Sequence, residues 1–168
     1  LAEQGAHVVG IDATARNLDV ARLHASAQSL PIDYRHCLAE HVRETGELFD
    51  VVINTEVIEH VANPGQLLAD CSALVKPGGI MVVATLNRTV RALVLAIVGA
   101  EYILRWLPKG THDWRRFLRP REISDMLDRN GLKTQEVRGV TFNPFSNCWR
   151  LSNDDSVNYM LLAAKEWS

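Results

Sequence analysis

A chain of 168 residues, 47% of them hydrophobic, is long enough to enclose one core of ordinary size. Its 18 basic and 20 acidic side chains leave a net charge of −2, without the basic excess that phosphate backbones demand, so nucleic acid is not expected as a partner. Cys37, Cys71 and Cys148 are odd in number and lack any C-x-x-C spacing, so free thiols in a reducing compartment are expected rather than a disulfide frame.

In chain order, the run His7-Val8-Val9-Gly10-Ile11-Asp12 predicts a strand over 7–11 that ends in an acid. Thr14 and the pattern Leu18, Ala21, Leu23, Ala25 follow, predicting a helix over 18–29. An acid at the tip of such a strand can accept hydrogen bonds from ribose hydroxyls. Asp also caps helices and ends strands, and on the residues alone both readings are open. A strand over 32–36 leads into the loop Cys37-Leu38-Ala39, and a third over 49–54 is apolar enough to be buried on both faces, as in a parallel sheet. Ligands of open α/β sheets collect at the carboxyl ends of such strands.

That third strand runs into Thr55-Glu56-Val57-Ile58-Glu59-His60. If the chain turns helical there, Glu56, Glu59 and His60 stand at i, i+3 and i+4 and share one face. Two carboxylates and an imidazole on one face can hold a divalent cation such as Mg²⁺. Acids also simply favour a helix start, so both readings stand. Next come a helix over 66–74, a stop at Lys76-Pro77-Gly78-Gly79 and a strand over 80–85. An amphipathic helix is predicted over 91–106, apolar except for a side carrying Arg88, Arg91, Glu101, Arg105 and Lys109. It is too short in its apolar run to span a bilayer, which needs roughly 20 residues, but it suits either a membrane interface or core packing. Arg119-Pro120-Arg121-Glu122 starts a helix over 121–130 that Gly131 ends. Strands over 134–141 and 157–164 close the chain, with Asn143-Pro144-Phe145 turning it before a final hairpin. Phe145 and Trp149 are core or substrate-wall candidates, and His7, His24, His36 and His41 are expected to be structural or solvated.

The residues Gly10-Ile11-Asp12, Asp50-Val51-Val52 and Leu74-Val75-Lys76-Pro77-Gly78-Gly79 together resemble the class I S-adenosylmethionine-dependent methyltransferases. A more specific likeness lies in Leu86-Asn87-Arg88-Thr89, Val98-Gly99-Ala100-Glu101-Tyr102-Ile103-Leu104, Pro108-Lys109-Gly110-Thr111-His112-Asp113-Trp114 and Asn143-Pro144-Phe145-Ser146. These resemble the ubiquinone-biosynthesis O-methyltransferases, from Gly5 to about Lys165. The resemblance implies a Rossmann-like α/β fold, a mostly parallel sheet with a C-terminal antiparallel hairpin. It implies one domain over 1–168, with an amphipathic helix and lid inserted at about 87–119. The family's first strand and glycine-rich loop precede the second strand. This chain opens at Leu1-Ala2-Glu3-Gln4-Gly5, which reads as the tail of the helix after that loop, so an N-terminally truncated domain is expected.

The same resemblance implies methylation of catechol hydroxyls on polyprenylated ubiquinone precursors, with S-adenosylmethionine and Mg²⁺ as cofactors. Asp12, Thr55 and Leu38 would bind the cofactor. Glu56, Glu59 and His60 would hold the metal, with His60 alternatively the general base, since imidazole titrates near neutral pH. His112 would act from a lid over the acceptor. Implied partners are the polyprenylated catechol, an anionic membrane surface and other coenzyme Q synthesis proteins. The expected location is the matrix side of the mitochondrial inner membrane, or alternatively a membrane-associated bacterial cytoplasmic site. Competing readings are an NAD-dependent dehydrogenase, which Asp12 also suits, another small-molecule methyltransferase, and a non-catalytic assembly subunit.

Overall fold

Continuous apolar runs with alternating burial make two neighbouring strands of the larger sheet. Val75–Leu86 forms β4 and Asn158–Lys165 forms β7. They pair antiparallel, with Met81 opposite Ala163, Val83 opposite Leu161 and Thr85 opposite Tyr159. All six side chains are fully buried, because residues two apart on a strand share one face. The computed structural model describes residues 1–93, 114–143 and 148–167. The chain forms two compact units, Leu1–Glu47 and Leu48–Ser168.

Within Leu1–Glu47, a 3₁₀ turn at Ala2–Gln4 precedes β1 (Val8–Asp12), α1 (Ala15–Ala27), β2 (Ile32–His36) and α2 (Ala39–Glu44). Strands β1 and β2 pair in parallel, from Val8 opposite Ile32 to Asp12 opposite His36. A parallel pair needs a crossover, and α1 supplies it. Its buried residues Leu18 and Ala25 lie seven apart on one face, whereas Leu23 is 73% exposed and takes no part in the expected stripe. Arg22 Nη2 donates to the Tyr34 carbonyl at 2.9 Å and ties the helix to β2. Helix α2 is an addition to the elements expected, begun where Leu38 N–H donates to His41 Nδ1.

Within Leu48–Ser168 the remaining elements are β3 (Phe49–Thr55), α3 (Pro64–Ala73), β4, α4 (Val90–Ala92), a 3₁₀ turn at Trp114–Arg116, α5 (Pro120–Arg129), β5 (Leu132–Asn143), β6 (Cys148–Ser152) and β7. The sheet order is β3-β4-β7-β5-β6. Only β3 and β4 run parallel there; β4·β7, β7·β5 and β5·β6 are antiparallel. The α/β class is as expected, but the described strands form two sheets, and antiparallel pairings outnumber parallel ones. The reason is connectivity. Parallel pairs form where α1 and α3 cross over, and the described strands after α5 pair antiparallel.

The Lys76-Pro77-Gly78-Gly79 segment is part of β4 rather than a turn before it. Phe49 pairs with Val75 and Val51 with Ile80, so these residues bulge out of register, with Gly78 at φ 75°. Helix α3 starts at Pro64, where the Asn63 side chain accepts from Gln66 N. Helix α5 starts at Pro120, with Glu122 Oε2 accepting from Arg119 N at 2.7 Å. Leu68 of α3 and Ile123 and Leu127 of α5 are fully buried, and these helices contact each other and the sheet. Of the amphipathic helix expected over 91–106, only Arg91–Leu93 falls among the described residues. The lid residues 109–113, His112 included, and the turn 144–146 lie outside them. Among the described residues no helix is long and apolar enough to cross a membrane.

Leu161, fully buried on β7 between β4 and β5, is a direct measure of this packing. Leu161→Ala should lower unfolding free energy by about 2–5 kcal/mol, read from urea denaturation. A loss below about 1 kcal/mol would contradict the packing described here.

Candidate functional site

In Leu1–Glu47 the sequence-expected residues follow the carboxyl ends of neighbouring strands. Asp12 ends β1, and Leu38 follows β2 as the residue before α2. Asp12 Oδ1 accepts from Thr14 N at 2.7 Å and Oδ2 from Asn17 Nδ2 at 3.0 Å. These bonds, the Asn17 amide first, hold its carboxyl below the ordinary value, with His36 adding a smaller electrostatic contribution. Asp12 therefore organises the start of α1. It also keeps acceptor capacity, because a carboxylate has about four lone-pair positions and these contacts do not use them all. Leu38 is 47% exposed, an apolar surface of the kind that a planar ring packs on.

In Leu48–Ser168 the chain after β3 does not become helical. Glu56 adopts φ 54°, a left-handed conformation uncommon outside glycine, and its N–H donates to the Ala84 carbonyl at 2.9 Å. That backbone turn breaks the right-handed run needed to align Glu56, Glu59 and His60 on one helix face. A tight turn follows, closed by His60 N to Val57 O at 2.9 Å and anchored by the fully buried Ile58. Among the described residues no group of three or more His, Cys, Asp or Glu is placed to hold a metal ion. The expected three-ligand set of Glu56, Glu59 and His60 is thus not assembled. Two of its members are brought together. Thr55 ends β3, exposed, directly before them.

Glu59 is 3% exposed. Its Oε2 accepts from Thr85 Oγ1 at 2.7 Å, and its Oε1 is buried without a partner. Glu56 is exposed as a residue, but its carboxyl end is desolvated against Glu59 and is pushed up to about 8. Desolvation is the largest cause, then the Glu59 charge, then the hydrogen bond between the two carboxyls. The raised value favours the protonated form of Glu56 near neutral pH.

Three polar residues around this pair were not singled out from sequence. Thr85 is fully buried opposite Tyr159. Asn54, 6% exposed, has a buried Oδ1 without a partner, and its side chain hydrogen-bonds the Cys71 thiol. Burial pushes that thiol up to about 11. Tyr159 donates its hydroxyl to the Leu118 carbonyl at 2.9 Å. A usable signal was present for two of them: Asn54 and Thr85 are polar interruptions in otherwise apolar strands, and buried polar groups are retained only with partners or a use.

Comparison with known proteins adds to this geometry. Residues 1–83 match the family model described as a methyltransferase domain. The ubiquinone biosynthesis O-methyltransferase of Dinoroseobacter shibae is 55% identical over 161 residues, 95% of this chain and 65% of that protein. That of Bartonella tribocorum is 50% identical over 165 residues, 98% of this chain and 67% of that protein. The chain thus spans about two thirds of the length of these curated relatives. Among solved structures, magnesium protoporphyrin IX methyltransferase from Synechocystis PCC 6803 with bound SAH aligns with TM-score 0.70 at 17% identity, over 98% of this chain and 67% of that one. A putative methyltransferase from Bacillus halodurans aligns with TM-score 0.67 at 16% identity, over 97% and 84%. At such identities the structural likeness shows the fold.

The carboxyl pair sets a pH dependence with a definite sign. The folded-state value of Glu56 is raised, so its contribution to stability is complete below about 4.5 and is lost as pH rises toward about 8. In metal-free buffer with chelator, Glu56→Gln should flatten this decline and be more stable than the parent above about pH 8. Parallel stability profiles of the two proteins across that window would refute the pairing.

Proposed function

The chain belongs to the ubiquinone biosynthesis O-methyltransferase family of S-adenosylmethionine-dependent methyltransferases, and on that premise we propose that it methylates catechol hydroxyls on polyprenylated ubiquinone precursors. The observation that carries the reading is identity of 50–55% over 95–98% of the chain to proteins of that name. Asp12 fits the cofactor's ribose as an anchored carboxylate with acceptor capacity to spare. Thr55 and Leu38, each exposed at or just after a strand's carboxyl end, are the further cofactor contacts of the proposal. When bound, the sulfonium cofactor supplies an electrophilic methyl group for in-line displacement.

The chain's own contribution is to orient the acceptor oxygen and manage its proton. Glu56 and Glu59 are candidates for both tasks. Their donor chemistry fits Mg²⁺, which needs only one or two carboxylates and keeps several waters. The unpartnered Glu59 Oε1, and the burial that together with the Glu59 charge raises Glu56, are what a bound cation would relieve. A cation there would stabilise the phenolate of a catechol. His60, exposed on the following turn, is the alternative base, and His112 is retained as a lid residue on the family likeness alone. The proposal includes peripheral docking on an anionic membrane, which a polyprenylated substrate favours, and association with other coenzyme Q synthesis proteins. The relatives named above are bacterial, which supports the cytoplasmic face of a bacterial membrane over the mitochondrial matrix.

Two measurements test this. By calorimetry, Asp12→Ala should weaken S-adenosylhomocysteine binding by roughly 1.5–3 kcal/mol, and unchanged affinity would remove Asp12 from the cofactor site. In a methylation assay on a polyprenylated catechol, metal stripping and Glu59→Gln should each depress turnover, and Mg²⁺ should restore only the stripped parent. Full turnover after stripping would discard the metal and leave His60 as base, whereas cofactor binding without any methyl transfer would favour a non-catalytic subunit.

A further inference from the structure

The Asp12 carboxylate is fixed in place by its own unit. Thr14 N occupies one position on Oδ1, and Asn17 Nδ2 occupies one on Oδ2. The two donors differ in kind. The Thr14 bond is a local Asx-type turn between residues two apart, a geometry that Asp side chains favour. Asn17 reaches back over five residues from the first turn of α1, where its own N–H is bonded to Thr14 O at 3.0 Å. From the other side, His36 Nε2 lies 2.9 Å from the Ala13 carbonyl and pins the loop to β2. Backbone and carboxylate are thus held independently.

We propose that Asn17 is a positioning residue, whose side-chain amide sets the plane of the Asp12 carboxylate so that its open acceptor face receives the vicinal 2′- and 3′-hydroxyls of a ribose. The inference rests on the reading of Asp12 as the ribose acceptor and extends it to a residue that makes no contact with the ligand. Without the Asn17 bond the carboxylate keeps only its contacts with Thr14 and is less constrained about its last torsion, which is broad and roughly two-fold. A ligand that needs both oxygens must then pay the ordering of that side chain on binding. Asn17 is exposed, so replacing it leaves no cavity and the fold of α1 is retained.

The test compares S-adenosylhomocysteine with its 2′,3′-dideoxyribose analogue by calorimetry on the parent chain, Asp12→Ala, Asn17→Leu and Asn17→Ala. Alanine is the best helix former, so the last variant keeps α1 intact if leucine disturbs it. Both Asn17 variants should lose about threefold to tenfold in affinity for S-adenosylhomocysteine, with the dideoxy analogue bound as by the parent. In the ligand-free chain, carbon NMR should show the Asp12 carboxyl titrating at higher pH once Asn17 is replaced, a change that a purely structural role in α1 would not produce. If Asp12→Ala weakens binding but the Asn17 variants do not, the positioning role is overturned and the ribose reading stands. If Asp12→Ala itself leaves affinity unchanged, the ribose reading falls and the inference with it.

Discussion

The antiparallel pairing of β4 with β7 governs the unit Leu48–Ser168. Val83 opposite Leu161 and Thr85 opposite Tyr159 bring fully buried side chains onto one face, and a slip of one residue would turn every one of them outward. That register also fixes where β4 ends. Since β3 follows β4 in parallel, with Asn54 opposite Val83 and Thr55 opposite Ala84, it fixes the exit point of Glu56 as well. The Glu56 N–H bond to the Ala84 carbonyl is a direct extension of this ladder. The carboxyl pair is therefore positioned by the hydrophobic core, not by its own turn.

Burying Glu59 costs free energy that only hydrogen bonds or a counter-charge can offset. Thr85 satisfies one oxygen, and the other is left without a partner. A sequence selected for stability alone would place an apolar residue there. The unmet acceptor, together with a neighbouring carboxyl raised by desolvation, is the signature of a site that awaits a proton or a cation. The same reasoning separates this pair from Asn54 and Asn87, whose buried amide oxygens are also unpartnered but carry no charge.

In Leu1–Glu47 the economy is different. Asp12 satisfies the entry to α1 and keeps acceptor capacity in the same side chain. Sequence reasoning weighed helix capping against ligand binding as alternatives at this position. The geometry shows neither of the two in its simple form: Asp12 meets the N–H of the capping residue Thr14 and the Asn17 side chain, so it organises the entry to α1 without capping it and keeps acceptor capacity.

Much of the architecture was legible locally. Apolar runs located six of the seven described strands, and Pro120 and Gly131 marked the ends of α5 by their own backbone chemistry. The family likeness likewise drew attention to Asp12, Glu56 and Glu59 before any contact was known. Strand β6 was not resolved as a strand of its own. All but its last residue are exposed, including Trp149 and Leu151, so no burial pattern distinguishes it from a loop. The left-handed turn at Glu56 was also hidden, since glutamate has no intrinsic preference for it and the Ala84 carbonyl that it meets belongs to another strand. What the sequence determined by itself was which segments are strands and helices and which acids stand at their ends, because those follow from neighbours within a turn or a pleat. Which oxygen of Glu59 is satisfied, and by whom, only the tertiary structure decided. Thr85 is 26 residues away, and no local period encodes the strand register that brings it there.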